Sequence, residues 1–205
     1  MDKYKTAQEN FWASGFGDQY IKRNKNHALK KNILLFFSEV LENLHDIKSV
    51  IEFGSNIGLN LLAINKILPK TDLSAIEINT KAVSELRKIK DIKVYHSSIF
   101  DFKPDYKRDL VLVKGVLIHL NPRMLSKTYD LLYKTSKRYI LISEYYNHTP
   151  VKIRYRGYAN RLFKRDFAGE ILDRFKDLKL IGYGFKYYRE DVFNDDLTWF
   201  LLKKK

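Results

Sequence analysis

Ser49-Val50-Ile51-Glu52-Phe53-Gly54-Ser55-Asn56-Ile57-Gly58-Leu59-Asn60 is the stretch on which the fold turns. A β-branched apolar run stops at Gly54, and a second glycine follows at Gly58. Leu61, Leu62, Ile64, Ile67 and Leu68 then recur at helical spacing until Pro69. Branched residues suit a strand, glycine frees a turn, and three- and four-residue apolar spacing marks an amphipathic helix that proline ends. The segment predicts strand, tight turn and helix.

The same alternation continues downstream. Leu73 to Ile78 reads as a strand, Thr80 to Ile89 as a helix and Ile92 to Tyr95 as a short strand. Asp109 to Val113 is almost continuously apolar, as a strand covered on both faces of a parallel sheet must be. Asn121-Pro122 is a helix start, because asparagine caps and proline at the first helical position gives up no needed donor. Leu125, Thr128, Leu131 and Leu132 carry that helix on. Tyr139 to Tyr146 is rich in strand formers, Arg165 to Phe175 reads as helix, and two last strands fall around Leu180 to Tyr188 and Thr198 to Leu202. Upstream, Ile33, Phe37, Val40, Leu41 and Leu44 form the stripe of a helix over His27 to Leu44. Strand and helix in alternation predict an α/β three-layer fold with a mostly parallel sheet. Ligands of such sheets sit at the carboxyl ends of the strands, beside the point where strand order reverses.

Composition is consistent with one folded unit. The chain has 205 residues, 45% hydrophobic and 30% charged, with 13 Phe, 14 Tyr and 2 Trp to fill a core. That length excludes a multidomain machine. Without cysteine there is no disulfide framework, thiolate metal site or cysteine nucleophile, which fits a cytoplasmic protein. Met1-Asp2-Lys3-Tyr4-Lys5 leads into polar sequence with no apolar leader core, and no run is long enough to span a membrane. The five histidines, at 27, 45, 96, 119 and 148, are scattered and form no metal motif, so no metal is expected. Lys plus Arg number 38 against 24 Asp plus Glu, a formal charge of +14. Such an excess suits an anionic partner, but it is spread over the whole chain and argues against a dedicated nucleic-acid groove.

The strand ends carry the chemistry. Asn56 and Leu59 stand where a dinucleotide loop needs its second and third glycines, and no Gly-Lys-Ser/Thr follows, so neither a dinucleotide loop nor a P-loop is expected. Glu77 ends the second strand, where an acidic side chain can accept from both hydroxyls of a ribose. With the Gly54 to Gly58 turn, it points to a nucleoside ligand.

Val50 to Asn60, Glu77 and the run Asp109-Leu110-Val111-Leu112-Val113-Lys114-Gly115-Val116-Leu117-Ile118-His119-Leu120 resemble the motifs of class I S-adenosylmethionine-dependent methyltransferases. Phe11-Trp12-Ala13-Ser14-Gly15-Phe16-Gly17-Asp18-Gln19-Tyr20-Ile21-Lys22-Arg23-Asn24 is similar to the methylases associated with pseudaminic acid biosynthesis and to related surface-sugar methyltransferases. The resemblance implies a Rossmann-like three-layer sandwich with a seven-stranded sheet. It also implies one domain over 1–205: a helical cap or lid over 1–46, a core over 47–205 and an acceptor loop at about 145–165.

By the same resemblance, Gly54, Asn56, Ile57 and Gly58 wrap the methionine and ribose of S-adenosylmethionine, Glu77 holds the ribose, and Ile78, Ser98 and Ile99 meet the adenine. Lys114 and Gly115 border the methionine moiety. Trp12, Tyr20 and Arg23 belong to the lid, and Arg23 either pairs with the cofactor carboxylate or is a solvated helix residue. Ser97-Ser98 departs from the acidic residue and glycine more usual there.

Methyl transfer needs an aligned acceptor and a base to take its proton. Two readings are open for His119: that base, since imidazole titrates near neutrality, or a packed loop residue bonded to a backbone carbonyl. Glu144 and His148 are competing bases or substrate contacts, and a strand-end glutamate beside two tyrosines can equally be structural. Val151 to Arg165 has six basic residues, no acidic one and interleaved aromatics. Tyr145, Asn147, His148, Arg154, Tyr155, Arg156, Lys164 and Arg165 are the candidate substrate contacts, and arginine forks there suit phosphate. The alternative is a solvated basic loop. The expected activity is O-methylation of a sugar hydroxyl, on a nucleotide sugar or glycan, releasing S-adenosylhomocysteine. The alternatives are a small-molecule amine or nucleic acid as acceptor and, last, a non-catalytic nucleic-acid-binding module. No Asn/Asp-Pro-Pro-Tyr/Phe follows the fourth strand, so no stable nucleic-acid partner is expected.

Overall fold

The computed structural model describes residues 4–25, 30–42, 44, 46–189 and 196–205. Helices α1 (Ala7–Ala13), α2 (Gly15–Lys25) and α3 (Lys30–Leu41) precede β1 (Ser49–Phe53) and α4 (Leu59–Ile67). Then come β2 (Asp72–Glu77), α5 (Thr80–Leu86), β3 (Ile92–His96), β4 (Arg108–Lys114), α6 (Leu125–Thr135) and β5 (Ser136–Glu144). A hairpin of β6 (Val151–Tyr155) and β7 (Tyr158–Lys164) is followed by α7 (Phe167–Arg174), β8 (Leu178–Lys186) and β9 (Leu197–Lys204). The expected start of the third helix at His27, and His45, lie outside the described residues.

Seven strands form one sheet in the order β3-β2-β1-β4-β5-β9-β8. The first five are parallel, and β9 runs antiparallel to both β5 and β8. The α/β, Rossmann-like, mostly parallel seven-stranded fold is therefore as expected. Every residue of β1 is buried, and so is β4 up to its last residue, because helices cover both faces. Alternation sorts their side chains. Val50, Leu110, Leu112 and Leu141 join Phe36, Phe37, Leu61 and Ile64 on one face. Ile51, Phe53, Val111, Val113 and Ile140 join Leu132, Phe167 and Ile171 on the other. Chain order reverses between β1 and β4, which opens the sheet at their carboxyl ends.

Two local expectations are corrected. Asn121-Pro122 starts a 3-10 turn, Pro122–Met124, before α6 begins, with Asn121 Oδ1 accepting from the Arg123 amide. The basic run after β5 is a two-stranded hairpin rather than a loop, with Tyr155 opposite Tyr158. Its two-residue turn, Arg156-Gly157, has φ of 49° and 87°. A turn with both central residues at positive φ matches the twist of the strands it joins, so the ribbon closes tightly.

The N-terminal helices lie over the open end of the sheet. Thr6 and Glu9 form a reciprocal capping box that starts α1. Lys5 pairs with Asp101, Gln8 donates to Asn160 O and accepts from Asn121, and Asn79 donates to both Trp12 O and Asp18. Among the described residues, no helix is long and apolar enough to cross a membrane.

Candidate functional site

The turn after β1 has no room for a side chain at its first glycine. Gly54 has φ of 75°, and a Cβ there would stand 2.7 Å from Val116 Cγ2. Gly54 and Ser55 both donate to Ile76 O, which ties the turn to β2. The Asn56 amide donates to Glu77 Oε2 at 2.7 Å, while Ile78 and Asn79 donate to Glu77 Oε1 at 2.8 and 2.7 Å. Three amides thus orient a carboxylate that is only 8% exposed. Burial pushes its pKa up against the pull of those bonds. Glu77 Oε2 keeps acceptor capacity for a ligand hydroxyl.

Between these strand ends and the capping helices lies a cavity of about 490 Å³. Of the residues predicted for a cofactor, Trp12, Tyr20, Arg23, Gly54, Asn56, Ile57, Glu77, Ile78, Ser98, Ile99, Lys114 and Gly115 all line it. Gly58 does not. It caps α4 in a left-handed conformation behind the cavity wall. The guanidinium of Arg23 lies 5.3 Å from the ring centres of both Phe16 and Tyr20, and one of its terminal nitrogens is buried without a partner. Trp12 Nε1 and Asn56 Oδ1 are buried and unpartnered as well. Unsatisfied buried groups are costly and rare, and these two donors and one acceptor all belong to residues that line the cavity.

His119 and Glu144, the candidate bases, meet at one turn in different roles. Glu144 Oε1 accepts from the Val116 and Leu117 amides at 2.9 Å each, and Oε2 from Ile118 at 3.5 Å. It is buried, its pKa is pushed up to about 7 by burial, and it does not line the cavity. The carboxylate holds a single 3-10 turn, Leu117–His119, in place. That turn carries His119 to the cavity wall, between the rings of Trp12 and Tyr155, each 4.7 Å away by ring centres. His119 Nδ1 lies 2.6 Å from Arg161 O. A carbonyl only accepts, so Nδ1 carries the proton and Nε2 keeps a free electron pair. Burial lowers the imidazole pKa to about 4, leaving it neutral at physiological pH.

The predicted acceptor contacts divide. Tyr145, Tyr155 and Arg156 line the cavity. Asn147, His148, Arg154, Lys164 and Arg165 do not. Asn147 turns back to Thr149, His148 and Arg154 are exposed, the Lys164 ammonium lies 5.3 Å from the Tyr145 ring centre, and Arg165 pairs with Glu170 at 2.6 Å. Asn147 and His148 precede the hairpin, and Arg154, Lys164 and Arg165, on or just after it, lie outside the cavity lining.

Sequence reasoning missed Gln8, Glu9 and Asn79, which line the cavity, and Glu52, which is bonded to the cavity-lining Asn60. Glu9 accepts from Ser98 Oγ at 2.5 Å, and the Thr6-x-x-Glu9 spacing of a capping box was the available signal. Glu52 is 1% exposed, accepts from Asn60 at 2.5 Å, and has its pKa pushed up to about 7 by burial. Among the described residues, no group of three or more His, Asp or Glu could hold a metal ion.

No protein-family model matches the chain, and no curated protein matches it. Solved structures match it in fold. A Burkholderia thailandensis 1,6-didemethyltoxoflavin-N1-methyltransferase, with 1,6-didemethyltoxoflavin and S-adenosylhomocysteine bound, superposes with a TM-score of 0.72 at 10% identity, over 100% of this chain and 93% of its own. The plantazolicin methyltransferase BpumL, in complex with a triazolic desmethylPZN analog and S-adenosylhomocysteine, gives 0.69 at 16% identity, over 97% and 95%. The magnesium protoporphyrin IX methyltransferase of Synechocystis PCC 6803, with S-adenosylmethionine bound, gives 0.67 at 13% identity, over 100% of both chains. At these identities the likeness establishes the fold, which is that of S-adenosylmethionine-dependent methyltransferases. None of these three names a sugar as acceptor.

Proposed function

We propose that the chain is an S-adenosylmethionine-dependent methyltransferase that modifies a small molecule, with residues 1–46 capping a catalytic core over 47–205. The observation that carries this reading is Glu77, held by amides from both the glycine turn and its own strand end at the base of a cavity at the switch point of the sheet. The fold neighbours add support, since they bind S-adenosylmethionine or S-adenosylhomocysteine at full-chain coverage. They favour a small-molecule acceptor over the sugar hydroxyl expected from the sequence, for their named acceptors are a toxoflavin precursor, a plantazolicin analog and a porphyrin.

Bound S-adenosylmethionine supplies an electrophilic methyl group on a sulfonium. Glu77 would accept from the ribose hydroxyls, Ile78, Ser98 and Ile99 would border the adenine, and Arg23 and Trp12 would offer donors to the carboxylate. His119 Nε2, left unprotonated by the Nδ1 bond to Arg161 O, would take up the proton that the acceptor heteroatom gives up on methylation. Trp12, Tyr20, Tyr145 and Tyr155 exclude water and present aromatic faces to the acceptor.

Calorimetry with S-adenosylhomocysteine tests the reading. Stoichiometric binding is expected, and Glu77→Ala should weaken it by about tenfold or more, because hydrogen bonds to charged groups are worth about 1.5 to 3 kcal/mol. No binding to the unaltered chain would sink the proposal. Labelled S-adenosylmethionine with parallel panels of heterocycles, amines and nucleotide sugars, read by mass spectrometry, locates the added methyl.

A further inference from the structure

Among the described residues, three cationic side chains line the cavity: Arg23, Lys114 and Arg156. Lys114 is balanced from below, because its charge favours ionisation of the buried carboxyls of Glu52 and Glu144. The two carboxylates that themselves line the cavity are committed elsewhere, Glu9 to Thr6 and Ser98, and Glu77 to three amides. Arg23 and Arg156 face only aromatic rings: Phe16 and Tyr20 for the first, and Tyr155, 5.8 Å away, for the second. Among the described residues, neither guanidinium has a carboxylate partner. S-adenosylmethionine brings a single carboxylate against its ammonium and sulfonium charges, so one guanidinium is left over. Arg156 is exposed at the cavity mouth, so its guanidinium, without a carboxylate partner, is open to an incoming anion.

Arg156 is the one placed for the acceptor. It sits at the mouth, on the hairpin turn, next to Tyr155, whose ring packs on His119. Its backbone has φ of 49°, a left-handed conformation that costs an ordinary side chain about 1 kcal/mol and that asparagine or glycine would adopt with less strain. Strain of this kind persists where the side chain is needed at that point.

The geometry points to Arg156 as the residue that recognises the acceptor, and to an acceptor that is a small molecule bearing an oxyanion, either carboxylate or phosphate. The guanidinium fork pairs with two oxygens of that group, and the pairing fixes the acceptor's orientation toward His119. This rests on the methyltransferase reading and names its substrate class.

The test uses the chain saturated with S-adenosylhomocysteine and three aromatic probes, benzoate, phenyl phosphate and neutral benzamide, titrated by calorimetry. At least one anion should bind at least about tenfold more tightly than benzamide. The better of the two anions distinguishes a carboxylate site from a phosphate site. Arg156→Asn, which suits the turn, should abolish the preference while S-adenosylhomocysteine affinity stays within about twofold, a shift of only about 0.4 kcal/mol. Lys152→Asn, exposed on the same hairpin, should keep the preference. Benzamide binding as well as the anions, no binding by any probe, or an anion preference that survives Arg156→Asn or is lost in Lys152→Asn would each overturn the inference. Failure of S-adenosylhomocysteine to bind the unaltered chain would instead overturn the methyltransferase reading.

Discussion

His119→Gln separates a buried neutral imidazole from a solvent-exposed one. In the folded chain, burial moves this histidine from an ordinary 6.5 to about 4, and the bond to Arg161 O offsets the shift only in part. A depressed histidine contributes stability that is present above pH 6.5 and is lost as pH falls toward 4, because the unfolded chain takes up the proton first. Between pH 7 and pH 5 that loss amounts to about 2 kcal/mol. Glu52 and Glu144 act with the opposite sign, since their folded values of about 7 exceed the ordinary 4.5 and both gain stability as pH falls. The raw pH dependence therefore mixes several groups, Glu77 among them, and the difference between wild type and His119→Gln isolates one. Glutamine can still donate to Arg161 O but does not titrate. Urea unfolding at pH 5, 6 and 7 should show the wild type losing about 2 kcal/mol relative to the variant across the range. Parallel curves, with the gap constant to within about 0.5 kcal/mol, would refute the buried neutral imidazole. In the proposed reaction the same variant should lower turnover about 10²- to 10⁴-fold with S-adenosylhomocysteine binding intact. The acid limb of the wild-type rate should fall well below 6.5.

Further outcomes follow from single contacts. Gly58→Ala places a Cβ 2.8 Å from Leu86 Cδ2 and 2.9 Å from Ile89 Cδ1 at a φ of 81°, and should cost about 1 to 3 kcal/mol in chemical denaturation. Thr6→Ala removes the α1 cap and should cost about 1 kcal/mol, read as faster S-adenosylhomocysteine release in stopped-flow tryptophan fluorescence. Arg108, fully buried at the start of β4, pairs with Asp105 and donates to Tyr95 and to Tyr106 O, so Arg108→Ala should lower stability by about 3 to 5 kcal/mol in thermal unfolding.

The layered sheet was legible because covering a strand on both faces demands an apolar run, and β1 and β4 supply one each. The glycine turn and Glu77 were legible for a related reason: few residues suit a backbone at positive φ or an acid at a strand end. The hairpin was not, because its turn is Arg156-Gly157 where Asn-Gly or Asp-Gly would have announced it, and its strands carry cations on positions a core would keep apolar. The role of Glu144 was left open for a deeper reason. A carboxylate at a strand end looks the same in sequence whether it faces a ligand or three backbone amides, and those amides lie 26 to 28 residues away.

The two readings left open for His119 are not exclusive. The histidine does bond to a backbone carbonyl, and that bond is what leaves Nε2 unprotonated. The carbonyl belongs to Arg161 on β7, so the hairpin that places Arg156 at the mouth also sets the tautomer of the imidazole. Glu144 grips the His119 turn from the β5 side, and β7 grips the ring from the other. Displacing the hairpin would therefore remove the anion contact and release the Nδ1 proton's partner together. An acceptor that draws Arg156 inward would tighten β7 over His119, so orientation of the acceptor and readiness of its base are linked through one ribbon of backbone.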